Sequence, residues 1–352
     1  VKNMIKRLIG GYIPPYRDKQ GHQEPNSISS LEKVQLGGVD QWITIRGRNK
    51  ELPILLFLHG GPGSPQTGAQ QKYNRELEDH YLVVNWDQRG SGKSFSPEVT
   101  AETMNLNQML GDAHELVHYL MKKFQQPKIF LMGQSIGSLY GLLFAHRHPD
   151  LLHAFVAINP PINRSVEEQT SYEFALETAK NKGIKKAIQE LEGVGFPAGG
   201  VYKKIDDMVI QRKWLTKFNG VSFRKNAAFI NMHYLMSHHL TFKEKLSFMK
   251  GFGFSATNLW NELTSINFFT LVPELKVPVF FIAGRHDRII PIDLVEQYVD
   301  FVEAPEKHLV ILEESGHLAI FEEPEKFNDV LIKQVLPLYS QTQQERRPKN
   351  VI

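Results

Sequence analysis

The chain has 352 residues, 41% of them hydrophobic and 22% charged, with 26 Gly and 19 Pro. This is an ordinary globular composition with room for one large core, or a core and a subsidiary domain. Lys and Arg number 41 against 38 Asp and Glu, and a net charge of +3 leaves no broad electrostatic footprint for nucleic acid. Cys is absent, which excludes disulfides, Cys-ligated metal and a Cys nucleophile, so chemistry falls to Ser, Thr, His, Asp, Glu, Lys or a cofactor.

Residues 1–30 read as an N-terminal extension. Within 1–13, Met4, Ile5, Leu8, Ile9 and Tyr12 share one helical face, with Lys2, Lys6 and Arg7 around it. The preferred reading is a short helix packed on the body; the other is a weak interfacial anchor on anionic lipid. The apolar part is too interrupted for a secretory segment, and no run approaches the roughly 18 apolar residues of a spanning helix. The expected location is therefore cytoplasmic, with any membrane association confined to this segment.

Residues 34–36 and 41–46 flank Gly37-Gly38 and predict a hairpin. Short apolar runs follow at 54–58, 81–85, 129–132, 154–158, 279–283 and 309–312, each resembling a strand buried on both faces. Helical patterns separate them, the clearest at 108–124. This alternation predicts an α/β fold, a mostly parallel sheet with helices on both faces. It is interrupted at 161–264, where helical segments at 165–181, 184–192, 203–218 and 227–250 carry abundant Met and Phe. An all-helical insertion between two strands predicts a cap over the carboxyl edge of the sheet, where ligands of such sheets bind. The core is then 31–160 with 265–340, and 341–352 is a polar tail.

Gly133-Gln134-Ser135-Ile136-Gly137 lies between the run at 129–132 and a helical pattern at 139–147. A G-x-S-x-G in this strand–turn–helix setting is the nucleophile elbow of the α/β-hydrolases. A Ser on so sharp a turn needs small neighbours, and the helix N-terminus favours negative charge developing beside it. A serine nucleophile requires a base and an acid to orient the base. Gly284-Arg285-His286-Asp287 and Ser315-Gly316-His317 each follow a predicted strand. The order Ser135, Asp287, His317 is that of the hydrolase triad. His59-Gly60-Gly61-Pro62-Gly63 follows the run at 54–58, and the N–H groups of Gly61 and Ile136 are the candidate oxyanion hole.

Taken together, the H-G-G-P-G loop, Asp87-Gln88-Arg89-Gly90-Ser91-Gly92-Lys93-Ser94, the Ser135 elbow and the Asp287 and His317 loops resemble the prolyl aminopeptidase (proline iminopeptidase) group of α/β-hydrolases. The resemblance covers 31–160 and 266–338 and is weak across the cap. It implies Ser135 as nucleophile, Asp287 as acid, His317 as base and Gly61 and Ile136 as the hole. Two positions depart from the group. Ile136 stands where these enzymes usually have Trp. In Ile230-Asn231-Met232-His233-Tyr234, Asn231 stands where a Glu holds the substrate's amine. An Asn supplies no charge to a buried ammonium; Glu168, Glu173, Glu177 and Glu262 are the cap carboxylates available in its stead.

His114-Glu115-Leu116-Val117-His118 spells the zincin pattern H-E-x-x-H. The apolar stripe of its helix, through Met109, Ala113, Leu116, Val117 and Leu120, leaves Glu115 and His118 on the solvent side, so no metal is assigned. Asp87 and Arg89 are expected to form a local ion pair after their strand. The sequence thus predicts a serine hydrolase cleaving an ester or amide through an acyl-enzyme, without cofactor, on a small molecule or short peptide. The alternative is a carboxylesterase or lactonase whose substrate lacks a free amine. Oligomeric state is not readable from these residues.

Overall fold

Runs in which every side chain is apolar become strands where a sheet is covered on both faces. The computed structural model describes residues 11–224 and 227–340, and of 227–229 and 231 the backbone alone. The strands are β1 (Ile28–Leu36), β2 (Val39–Gly47), β3 (Ile54–Leu58), β4 (Leu82–Asp87), β5 (Ile129–Gln134), β6 (Leu152–Ile158), β7 (Val279–Gly284) and β8 (Lys307–Leu312). They form one sheet in the order β1-β2-β4-β3-β5-β6-β7-β8. From β4 to β8 neighbours run parallel, while β1–β2 and β2–β4 are antiparallel.

The central strands β3 to β7 are buried throughout. Edge strand β8 is only half-buried over most of its length, contrary to the expectation for its run, because helices cover the edge incompletely. The two-residue period divides β3 between two cores. Ile54, Leu56 and Leu58 face the helices Leu106–Phe124, Ile136–Arg147 and Ile292–Phe301, while Leu55 and Phe57 face the C-terminal helical segments.

Between β6 and β7 the chain is helical, as the cap reading predicts: Arg164–Asn181, Lys185–Val194, Ile205–Lys217, Ala227–Met236 and Phe242–Thr264. Tyr172, Leu191, Met208, Trp214 and Trp260 give these helices an apolar cluster of their own. The single helix expected over 227–250 is two. Thr241 restarts the chain with a capping box, accepting from Glu244 N at 3.4 Å while Glu244 Oε2 accepts from Thr241 N at 2.7 Å.

A second correction concerns Arg89. It pairs not with Asp87 but with Asp112 on the Leu106–Phe124 helix, Nε donating at 2.6 Å and Nη2 at 2.9 Å. Both side chains are fully buried, and Asp112 also accepts from Gln41 and Gln108. Asp87 instead accepts from Lys93 N and Tyr234 Oη. Glu115 of the H-E-x-x-H stretch accepts from Gly37 N at 2.8 Å and caps the β1–β2 turn.

The described part of the N-terminal extension is packed on the body. Ile13 and Tyr16 are buried, Tyr16 donates to Glu78, and Arg46 donates to Pro14 O at 2.7 Å. Most of the amphipathic segment and the polar tail 341–352 lie outside the described residues. Among the described residues no helix is long and apolar enough to cross a membrane.

Removing one member of a buried, hydrogen-bonded ion pair leaves the other charge uncompensated, at about 3–5 kcal/mol. Arg89→Met is expected to lower stability to urea by that amount, and Lys33→Met, which breaks the exposed pair with Asp40, by less than about 1 kcal/mol. Equal effects would contradict the assigned network.

Candidate active site

Strand β5 ends at Gln134, and Ser135 turns the chain into the Ile136–Arg147 helix with φ 53° and ψ −124°. A non-glycine residue occupies this region only where its surroundings hold it there. The hold is visible. Ser135 N donates to Ile158 O of β6 at 2.9 Å, and Ser138 Oγ lies within hydrogen-bond distance of both the carbonyl and the N–H of Ile158. A Cβ on Gly137 would meet Leu58 O at 2.0 Å, so the helix reaches β3 only with glycine there.

Asp287 and His317 follow β7 and β8, the last two strands of the sheet. The loop after β7 and the loop after β8 are joined by His286 N donating to Ser315 O at 2.9 Å. Asp287 is buried; its Oδ1 accepts from Ile289 N and Ile290 N at 2.8 and 3.0 Å. Its Oδ2 lies 2.7 Å from His317 Nδ1 and accepts from Asn159 Nδ2 at 2.9 Å. These bonds hold the imidazole by one nitrogen and leave Nε2 for other partners. The backbone of His317 is fixed as well, its N–H donating to Val221 O at 2.8 Å and its carbonyl accepting from Gln134 Nε2 at 3.0 Å.

The H-G-G-P-G loop closes the third side. A Cβ on Gly60 would lie 2.8 Å from Gln134 O and 2.9 Å from Ser135 Cβ, so the loop rests on the Ser135 turn itself. His59 is buried behind it, with Nδ1 2.9 Å from Gly60 O and Nε2 accepting from Gln88 N. Ser135, His317, Gly61 and Ile136 all line one cavity of about 210 Å³. Ile136 is the first residue of its helix, so its N–H has no intrahelical carbonyl to serve.

The cap contributes Arg164, Met208, Arg212, Phe252 and Trp260 to the same lining, which among the described residues contains no Asp or Glu. Glu168, expected near a substrate amine, is fully buried in an ion cluster behind the cavity. Its carboxylate accepts from Arg164 at 2.6 Å and from Arg212 at 2.6 and 2.7 Å. Burial pushes Glu168 upward, but Arg212 and Arg164 outweigh it and hold the carboxyl below the usual range. Glu262 is also placed elsewhere, its carboxylate accepting from Leu106 N at 2.7 Å at the start of another helix. Glu173 and Glu177 border a different cleft beside Arg288. Asn231 lies on the Ala227–Met236 helix, and its side chain is outside the described residues.

Several residues at the site escaped the sequence reading, Asn159, Arg164, Arg212 and Trp260 among them. Asn159 carried a signal, since it follows β6 at the same sheet edge. Arg164, Arg212 and Trp260 carried none, because nothing in a cap helix marks which side faces the cavity.

Residues 52–324 match the family model described as Serine aminopeptidase, S33. The chain belongs to that family. It is 34% identical to the probable aminopeptidase YbaC of Bacillus subtilis, over 88% of this chain and 96% of that protein. The fold is shared with the proline iminopeptidase of Mycobacterium smegmatis, with TM-score 0.64, 18% identity, and coverage of 89% of this chain and all of the other. It is shared also with an esterase from Thermogutta terrifontis, with TM-score 0.56, 19% identity, and coverage of 88% and 99%. Family and structure agree on a prolyl-aminopeptidase-like α/β-hydrolase with a helical cap.

Burial holds His59 down to about 4 and His239 down to about 3, from 6.5. The unfolded chain therefore protonates first, and the stability these residues contribute, full above pH 6.5, is lost as pH falls toward 4. Asp87, raised by burial to about 6, acts oppositely: its contribution is full below 3.8 and lost as pH rises through 6. His114 and His148, also held down by burial, act with His59 and His239, against Asp87 and Glu167, so the urea midpoint is expected to fall between pH 6.5 and 4. Neither ring nitrogen of buried His239 has a partner among the described residues. His239→Phe should therefore reduce that slope by about one proton; an unchanged slope would contradict the assignment.

Proposed function

We propose that the chain is a serine hydrolase acting through an acyl-enzyme. His317 Nε2 takes the proton of Ser135 Oγ as that oxygen attacks an ester or amide carbonyl. Asp287 holds the imidazole tautomer and balances the charge on the imidazolium. The N–H groups of Gly61 and Ile136 receive the negative oxygen of the tetrahedral intermediate, each donor accounting for about 2.7–4 kcal/mol of barrier lowering. His317 then protonates the leaving group and activates the water that releases the acyl group. The observation that carries this reading is the convergence of Ser135, His317, Gly61 and Ile136 on one cavity, with Asp287 2.7 Å from the far side of the imidazole.

The lining favours a small acyl substrate without a charged amine. An entering ammonium would meet Arg164 and Arg212 and, among the described residues, no carboxylate in the lining, an arrangement with an electrostatic cost. Among the described residues, Gln66 Oε1, Gln134 Oε1, Arg164 Nε and Trp260 Nε1 are buried around the cavity without a protein partner. The Arg164 and Trp260 nitrogens are donors that suit a neutral or anionic acceptor on the substrate, and the two Gln oxygens are acceptors that suit a substrate N–H or O–H. The second reading, an aminopeptidase acting on a short peptide, is favoured by the likeness to the Bacillus protein.

Ser135→Ala is expected to lower kcat by roughly 10³-fold or more with an unchanged near-ultraviolet spectrum. The wild type, but not the variant, should be labelled by a fluorophosphonate. Retained turnover in the variant would sink the mechanism. Between substrates, kcat/KM should be higher for short-chain aryl esters than for proline arylamide. A preference for the arylamide that disappears when its amine is acetylated would instead establish the aminopeptidase reading.

A further inference from the structure

The Phe242–Thr264 helix presents an apolar row to solvent where a globular surface is normally polar. Phe242 is 72% exposed, Leu246 67% and Met249 68%. At about 100° per residue these three positions project on one side of the helix. Lys243 and Lys250 flank the row on one side and Lys245 on the other. Glu244 is the acidic residue of this stretch, and its charge is already used by Lys93 Nζ at 2.7 Å. Among the described residues no carboxylate pairs with the three flanking lysines.

The chain's own N-terminal segment meets the start of this row. A Cβ on Gly11 would lie 3.2 Å from Thr241 Cγ2, and Tyr12 N donates to His238 O at 3.2 Å. The ten residues before Gly11, outside the described residues, include Met4, Ile5, Leu8 and Ile9 with Lys2, Lys6 and Arg7 and no acid. Their charge has the same sign as that of the row. Row and segment thus share a composition that suits a surface apolar beneath and anionic above.

We infer that the Phe242–Met249 face of the cap is a docking surface for an anionic phospholipid bilayer. An exposed apolar row edged by lysines is the pattern of a helix lying in a membrane interface, with side chains among the acyl chains and ammonium groups at the headgroups. The same helix carries Phe252 into the cavity lining, so docking would bring the cap to the bilayer while the sheet stays in water. This inference concerns the cap surface and does not depend on the chemistry assigned to Ser135.

The test is co-sedimentation of the full chain with vesicles of phosphatidylcholine, with and without phosphatidylglycerol, at low and high salt. Binding is expected to the phosphatidylglycerol vesicles at low salt and to weaken at high salt. The pair Leu246→Asp and Met249→Asp should lower partitioning about tenfold or more. Lys243→Glu with Lys250→Glu should lower it by a similar factor. Far-ultraviolet circular dichroism and the urea midpoint, unchanged in both double variants, would show that they fold. Three results would overturn the inference: no binding to the anionic vesicles, binding unaffected by the aspartates, or a concentration-dependent dimer that the aspartates dissolve, which would make the row a contact between copies.

Discussion

The site depends on how closely three pieces of backbone approach one another at the carboxyl edge of the sheet. The Ile136–Arg147 helix can leave β5 at once and still lie against β3 only because Gly137 has no side chain to strike Leu58 O. That contact forces Ser135 to a positive φ and leaves it at the tip of the turn. Gly60 extends the same constraint to the neighbouring loop, which rests on Ser135 Cβ. The Ser135 turn, the helix N-terminus and the glycine loop are thus set by one packing condition. The strain is offset by the buried sheet around it.

Buried charge organises the rest of the molecule in two separate places. Beneath the β1–β2 hairpin, Asp112 gathers Arg89, Gln41 and Gln108 and ties the antiparallel end of the sheet to a core helix. In the cap, Glu167 and Glu168 gather Arg164 and Arg212 across two helices. The second knot borders the cavity and determines its character. It uses the carboxylates internally and presents guanidinium groups to the cavity.

Cap and core meet through apolar packing, with Leu259, Leu263 and Ile230 of the cap in the buried clusters on the sheet, and also through polar contacts. Tyr234 Oη donates to Asp87, Lys93 Nζ to Glu244, and Ser255 Oγ to Gly90 O. All three run from cap helices to the stretch that follows β4. That strand-end region thus shares the seating of the cap with the apolar packing.

The sequence by itself determined the alternation of strand and helix, the helical insertion and the three strand-end loops bearing Ser135, Asp287 and His317. Each of these is written in local pattern, because periodicity and turn chemistry act over a few residues. Tertiary structure decided what depends on which groups meet at long range. It paired Arg89 with Asp112 instead of Asp87, divided one expected cap helix at Thr241, and withdrew Glu168 and Glu262 from the site. It also added Asn159 beside Asp287 and turned Arg164, Arg212 and Trp260 toward the cavity. An ion pair or a cavity wall joins residues tens of positions apart, and their side chains compete for partners only after the chain has folded.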